Sequence, residues 1–243
     1  MKLLKILFSI IFIASLSCTT IKRLPDYGFE PIFDGKTLTG WDGDKRYWRV
    51  ENGAIAGEIT PETILKQNSF LIYNVSNPGD FELKVDYRIS SKGNSGINYR
   101  SSRLDSIPFA MKGYQADIDG KDRYKLGYPR GTGQNYEERG RQFLAARGQR
   151  TVIETGKSAR FIDSTGSRHN LLKAIHYDDW NQLHIIAKGN IMKHYINKVL
   201  MSEVTDNDSV NRKLTGLIGL QLHAGAPMKI EFKNFLLKSI PKM

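Results

Sequence analysis

Phe81-Glu82-Leu83-Lys84-Val85-Asp86-Tyr87-Arg88-Ile89 places an apolar side chain at every odd position and a charged one at every even position. A period of two over nine residues is the signature of a strand with one face buried and the other in water. Working outward, Ser69 to Tyr73 reads as a further strand, and Ile97 to Arg100 as another, entered from a Gly93-Asn94-Ser95-Gly96 turn. Trp48 to Glu51, Asn52-Gly53 and Ala54 to Glu58 form a hairpin, because Asn-Gly tolerates the two positive φ values of a type I′ turn. Strands recur at Trp180 to Ala187, Ile191 to Ile196, Val199 to Met201 and Lys229 to Lys238. The one helical expectation is a short turn of helix near Pro61 to Leu65. Many short strands with frequent turn signals predict an all-β sandwich or jelly roll. Trp41 and Trp48, in strand-like surroundings, are expected in its core.

The chain has 243 residues, a formal net charge of +11 and one cysteine, Cys18, so no intrachain disulfide can form. Lys2 and Lys5, an apolar run from Ile6 to Ala14 and small residues up to Cys18 read as a secretory signal over residues 1–18. The run is shorter than the roughly 20 residues that span a bilayer. Ser15-Leu16-Ser17-Cys18 resembles a bacterial lipobox, so Cys18 is the expected lipidation site of an exported, membrane-anchored lipoprotein facing the periplasm or cell surface. Residues 19–28 then act as a tether and 29–243 as one sandwich domain. Within it, residues 121–176 read as a long functional loop region with strand character only at Gln142 to Ala146 and Thr151 to Glu154. Its basic run, Arg139, Arg141, Arg147 and Arg150 behind Glu137 and Glu138, carries no nucleic-acid motif and reads as a solvated or anion-facing loop.

Two distant segments put chemically capable side chains on one strand face. In Gly113-Tyr114-Gln115-Ala116-Asp117-Ile118-Asp119-Gly120, the residues Tyr114, Ala116 and Ile118 share one side and Gln115, Asp117 and Asp119 the other. In Ile218-Gly219-Leu220-Gln221-Leu222-His223, the apolar Ile218, Leu220 and Leu222 face away from Gly219, Gln221 and His223. If both strands share a sheet, carboxylates, amides and an imidazole meet on a surface suited to a sugar. The remaining histidines, His169, His176, His184 and His194, read as loop or structural residues.

The order and spacing of several short pieces resemble the 3-keto-disaccharide hydrolase domain family. They are Phe33-Asp34-Gly35-Lys36-Thr37-Leu38-Thr39-Gly40-Trp41, Trp48 to Gly53, Asp80-Phe81-Glu82-Leu83, Gly93-Asn94-Ser95-Gly96-Ile97 through Arg100, Gly113 to Ile118, Trp180-Asn181, Ile218 to His223 and Phe232-Lys233-Asn234-Phe235. Gln115 stands where that family often has an acid, and Lys233 where it often has Arg. The resemblance implies a concanavalin A-like jelly roll of two curved antiparallel sheets, with the site on the concave face. It also implies carbohydrate substrates already oxidised at C3. A 3-keto group acidifies the C2 hydrogen, so a base can remove it and the glycosidic oxygen can leave, with water adding afterwards. On that chemistry His223 is the expected base, Asp117 an acid, base or metal ligand, and Arg100 the stabiliser of enolate charge. Gln115, Gln221, Asn98 and Asp119 would bind hydroxyls. A divalent metal between Asp117, His223 and another carboxylate would act as a Lewis acid. Two rivals stand beside this reading. A conventional retaining hydrolase needs two carboxylates about 5 Å apart, and the Gln115-Ala116-Asp117 strand supplies no Glu. A non-catalytic carbohydrate-binding module needs only the scaffold.

Overall fold

The computed structural model describes residues 27–121 and 131–241; Cys18 and the signal segment lie outside the described residues. Two sheets face each other across one apolar core. The seven-stranded sheet runs, in spatial order, β10 (Gln142–Ala145), β9 (Asn135–Glu138), β8 (Met111–Asp119), β7 (Asn94–Arg103), β16 (Leu217–Leu222), β5 (Ser69–Tyr73) and β2 (Trp41–Asp42). The ten-stranded sheet runs β12 (Arg160–Ser164), β11 (Gln149–Ile153), β15 (Val199–Asp206), β14 (Ile191–Ile196), β13 (Asn181–Lys188), β6 (Phe81–Ile89), β17 (Met228–Ser239), β4 (Ala54–Ile59) and β3 (Trp48–Glu51). The short β1 (Glu30–Pro31) also pairs with β17. The result is the expected jelly-roll sandwich, with one departure from antiparallel order: β11 lies parallel to β15.

The alternation of β6 holds at every position, with Phe81, Leu83, Val85, Tyr87 and Ile89 inward. Asn52 and Gly53 take φ of 50° and 76°, the two left-handed values a type I′ hairpin requires. Trp41 and Trp48 are core residues. From β8 and β16, Tyr114, Ala116, Ile118, Ile218, Leu220 and Leu222 join the same core, so the polar partners on those strands face outward.

Three expectations change. Residues 61–65 form no helix: the Thr60 amide donates to Thr63 Oγ1 at 2.9 Å and closes a turn instead. The one helix of the described residues, α1 (Arg168–Lys173), is capped by the Ser167 hydroxyl. Gly96 is not in a turn but in the middle of β7, opposite Asp117. The region 121–176, where described, carries four strands: β10 and β11 fall on the two stretches expected to be strand-like, while β9 and β12 lie outside that expectation and add one strand to each sheet. One member of its basic run is built in as well. Arg141 bonds Glu137 at 2.6 Å, Asp206 at 2.7 Å and Asp208 at 3.3 Å; burial opposes its charge, but these carboxylates outweigh it and raise its pKa. Glu137 and Arg141 lie in sequence like surface charges, and only the fold of β9 onto β8 turns them inward.

Candidate functional site on the seven-stranded sheet

Strands β8, β7 and β16 are neighbours, so the outward residues of the two polar segments share one surface. Asp117 is 8% exposed, and both its oxygens accept amide donors: Oδ1 takes Gln115 Nε2 at 2.5 Å and Oδ2 takes Gln134 Nε2. Gln115 Oε1 in turn accepts Gln221 Nε2 at 2.8 Å, across the width of β7. That crossing explains the glycine: a Cβ on Gly96 would stand 2.7 Å from Gln115 Cγ. Gln221 Nε2 also reaches Glu138 Oε2 at 3.3 Å, and Asn68 Nδ2 donates to Glu138 Oε1 at 3.2 Å. Asn68 Oδ1 accepts the backbone N–H of Ala224 at 3.0 Å. An unbroken chain of hydrogen bonds therefore runs from Asp117 to the residue after His223. It also reveals the shape of the face. β9 and β16 are three interstrand steps apart, about 14 Å, more than Glu138 and Gln221 could bridge from a flat sheet. The face is hollow, as the expected concave site requires.

Burial governs the electrostatics. The Asp117 carboxyl is pushed up to about 7, first by loss of solvent and then by the Asp119 and Glu138 charges, against the amide donations of Gln115 and Gln134. Glu138 is raised too, by burial, although Asn68, Arg139 and Gln221 favour its charged form. Tyr136, beside Gln115 on β9, is raised by burial and by both carboxylates. His223 is half-buried just past the end of β16. Its Nδ1 lies 2.6 Å from the Ala224 carbonyl oxygen, which can only accept, so Nδ1 carries a hydrogen.

Arg100 is a correction. Its φ of 45° and the register break between Tyr99 and Ser102 interrupt the alternation of β7. The side chain swings under the sheet, where its Nε donates to Gly79 O at 3.1 Å, Nη1 to Gly189 O at 2.7 Å and Nη2 to Asp80 Oδ1 at 2.9 Å. It is 1% exposed, burial lowers its pKa, and it ties the two sheets together rather than meeting Asp117 and His223.

The expected hydroxyl binders divide. Gln115 and Gln221 are in place with their amide nitrogens turned to the carboxylates, while Gln221 Oε1 is buried without a partner among the described residues. Asn98 is fully buried, donating to Ser101 Oγ at 3.3 Å. Asp119 brackets the Thr132 hydroxyl with its backbone at 2.9 and 3.1 Å, which makes it a turn-end residue as well as a charge near Asp117. Among the described residues no three His, Cys, Asp or Glu side chains gather as a metal site needs. His194 is internal: Tyr99 and the Gln134 carbonyl bond its ring, and burial lowers it to about 4. His184 pairs with Glu82 on the other sheet. Sequence reasoning missed Glu138, Gln134, Asn68 and Tyr136. For Tyr136 and Glu138 a signal existed, since they alternate in Asn135-Tyr136-Glu137-Glu138, but the paired acids read as the flank of a basic run.

Residues 28–238 match the model of the 3-keto-alpha-glucoside-1,2-lyase-like domain. The chain belongs to that family. A stretch of 86 residues is 34% identical to a 3-keto-disaccharide hydrolase of Bacteroides thetaiotaomicron, covering 32% of this chain and 29% of that one. A Parabacteroides distasonis crystal structure provisionally assigned as a glycosyl hydrolase superposes with a TM-score of 0.55 at 18% identity, over 88% of this chain and 94% of the other. A carbohydrate-binding module from Bacillus subtilis gives 0.51 at 18%, over 82% and 96%. A galectin-like protein from Bacillus subtilis gives 0.56 at 12%, over 83% and 90%. At these identities the superpositions speak for the fold alone, whereas the family match places the chain among carbohydrate-acting proteins.

Proposed function

We propose that this chain cleaves glycosides already oxidised to the ketone at C3. His223 Nε2 removes the C2 proton, and the C–H electron pair passes into an enolate with the C3 carbonyl. The enolate re-forms the ketone and a C1–C2 double bond, expelling the glycosidic oxygen, which takes its proton from Asp117. Addition of water, hydroxyl to C1 and proton to C2, completes hydrolysis. What carries the reading is Asp117: a buried carboxyl held by two amides and pushed to about 7 retains a proton to give near neutrality, at one end of a hydrogen-bond chain that reaches the residue after His223. Family membership supplies the substrate class.

A conventional hydrolase is the second reading, and one observation favours it: Glu138 supplies, from the next strand, the second carboxyl that the Asp117 strand lacks. Incubation with a 3-keto-glucoside and its unoxidised parent separates the two. The proposed enzyme releases aglycone from the ketone alone; cleavage of the parent at a comparable rate selects the second reading, and binding without turnover selects a binding module. Export and lipid anchoring at Cys18 belong to the same proposal, which palmitate labelling of the wild type and a Cys18→Ala variant checks.

A further inference from the structure

The hollow has an apolar extension. Gln115 on β8 lies opposite Tyr136 on β9, and Tyr136 opposite Phe143 on β10. The two rings meet edge-to-face with centroids 5.2 Å apart. Phe143 then forms one wall of a groove of about 390 Å³ at the seam where β10 of one sheet meets β11 and β12 of the other. Leu144, Ala145, Ala146, Ala159 and Phe161 complete most of its lining. Phe143 is 45% exposed and Phe161 55%, far above what such rings show when packed into a core.

Resting on the 3-keto-glycoside reading, we infer that this groove is the aglycone subsite and that it takes an aromatic leaving group rather than a second sugar. The chemistry of the lining decides between them. A sugar ring needs several hydroxyl partners, but the groove has only two polar side chains, and each already makes a bond within the protein. Thr151 Oγ1 donates to the Leu144 carbonyl at 2.8 Å, and Gln149 Oε1 accepts the Ala146 N–H at 2.9 Å. What remains beside the Gln149 amide nitrogen is two half-exposed rings and alanine methyls, a lining with few hydroxyl partners and ample ring surface for a flat apolar group. The spacing also suits it. From Asp117 on β8 to Phe143 on β10 is two interstrand steps and a two-residue offset along the strand, about 12 Å in all, which a fused bicyclic group attached at the scissile oxygen spans together with the Phe143 side chain.

The test pairs turnover with binding. Naphthyl and methyl 3-keto-glucosides are compared on the wild type, Phe143→Ser and Phe161→Ser, both exposed positions at which folding is expected to survive. The wild type should show at least a tenfold higher kcat/KM for the naphthyl compound, and each variant should lose most of that advantage through KM while handling the methyl compound normally. Binding of unoxidised naphthyl glucoside, followed by ligand fluorescence, should weaken in the same variants. Equal kcat/KM for the two aglycones, or equal effects of the substitutions on both, overturns the subsite. If neither ketone is turned over, the cleavage reading fails, and the fluorescence titration still decides: the groove stands if naphthyl glucoside binds the wild type and not the variants, and falls otherwise.

Discussion

The two outer faces of the sandwich follow the same alternation of residues and end in opposite chemistry. On the ten-stranded sheet, most outward acids meet cations: Arg49 bonds Glu51 and Glu58 at 2.6 Å, Arg88 bonds Glu231 at 2.8 Å, and Lys229 bonds Glu51 at 2.6 Å, whereas Asp86 takes the Asn234 amide at 2.7 Å. In the hollow of the seven-stranded sheet the buried acids meet amides, although Asp42 on the edge strand β2 bonds Arg103 at 2.6 Å. Asp117 is held by Gln115 and Gln134, and Glu138 by Gln221 and Asn68, with Arg139 no nearer than 3.8 Å. An amide satisfies an oxygen's hydrogen bonding without neutralising its charge. Burial then raises the carboxyl, where an adjacent cation would hold it down. The difference between a surface that only solvates and one that can move protons lies in what stands beside the acid.

That contrast can be broken most severely at Asp117. Asp117→Asn should cut kcat on a 3-keto-glucoside by about 10²–10⁴-fold, the usual worth of a general acid, with the fold intact by circular dichroism. Gly96→Ala comes next. Its Cβ would collide with the Gln115 side chain that crosses β7, breaking the amide bridge; a loss of roughly 1–3 kcal/mol of stability is expected for such overpacking, with activity down about tenfold.

Glu138→Gln sharpens the comparison. The Glu138 charge helps raise Asp117, so removing it should move the alkaline limb of the pH–rate profile, where Asp117 loses its proton, to lower pH. A limb that stays in place would sever the coupling between the two carboxyls. Stability carries the same signature. The folded-state pKa of Asp117, about 7, lies above the ordinary value of 3.8 for an aspartate in water. The native state therefore binds the extra proton between these values, and stability falls as pH rises through that window, by up to roughly 1.4 kcal/mol per pH unit. Urea unfolding of Asp117→Asn should show a flatter dependence from pH 4 to 7. The smallest effect belongs to the other face: Glu231→Gln, which breaks a half-exposed pair with Arg88, should cost no more than about 1 kcal/mol and leave activity unchanged.

Much of this architecture could be read from residue order. β6 announced itself by alternation, the Asn52-Gly53 hairpin by its turn residues, and the meeting of Asp117 with Gln221 by two strand patterns of matching polarity. The unread portions share a cause. Arg100 was assigned from the family resemblance, and a register break at that point turns it through the sheet. Glu138 enters the hollow only because β9 lies beside β8 and the face curves, both properties of long-range pairing that neighbouring residues do not encode. Gly96 looked like a turn glycine because its role is to be crossed by a side chain from another strand.

The most direct test of the proton-transfer account is isotopic. A 3-keto-disaccharide is turned over in deuterium oxide and the C2 position of the released 3-keto sugar, or the enol product, is read by mass spectrometry and NMR. The account predicts that the original C2 hydrogen is gone, replaced by deuterium in any hydrated product, and that a His223→Ala variant no longer catalyses its removal. Cleavage that leaves the C2 hydrogen in place would contradict it.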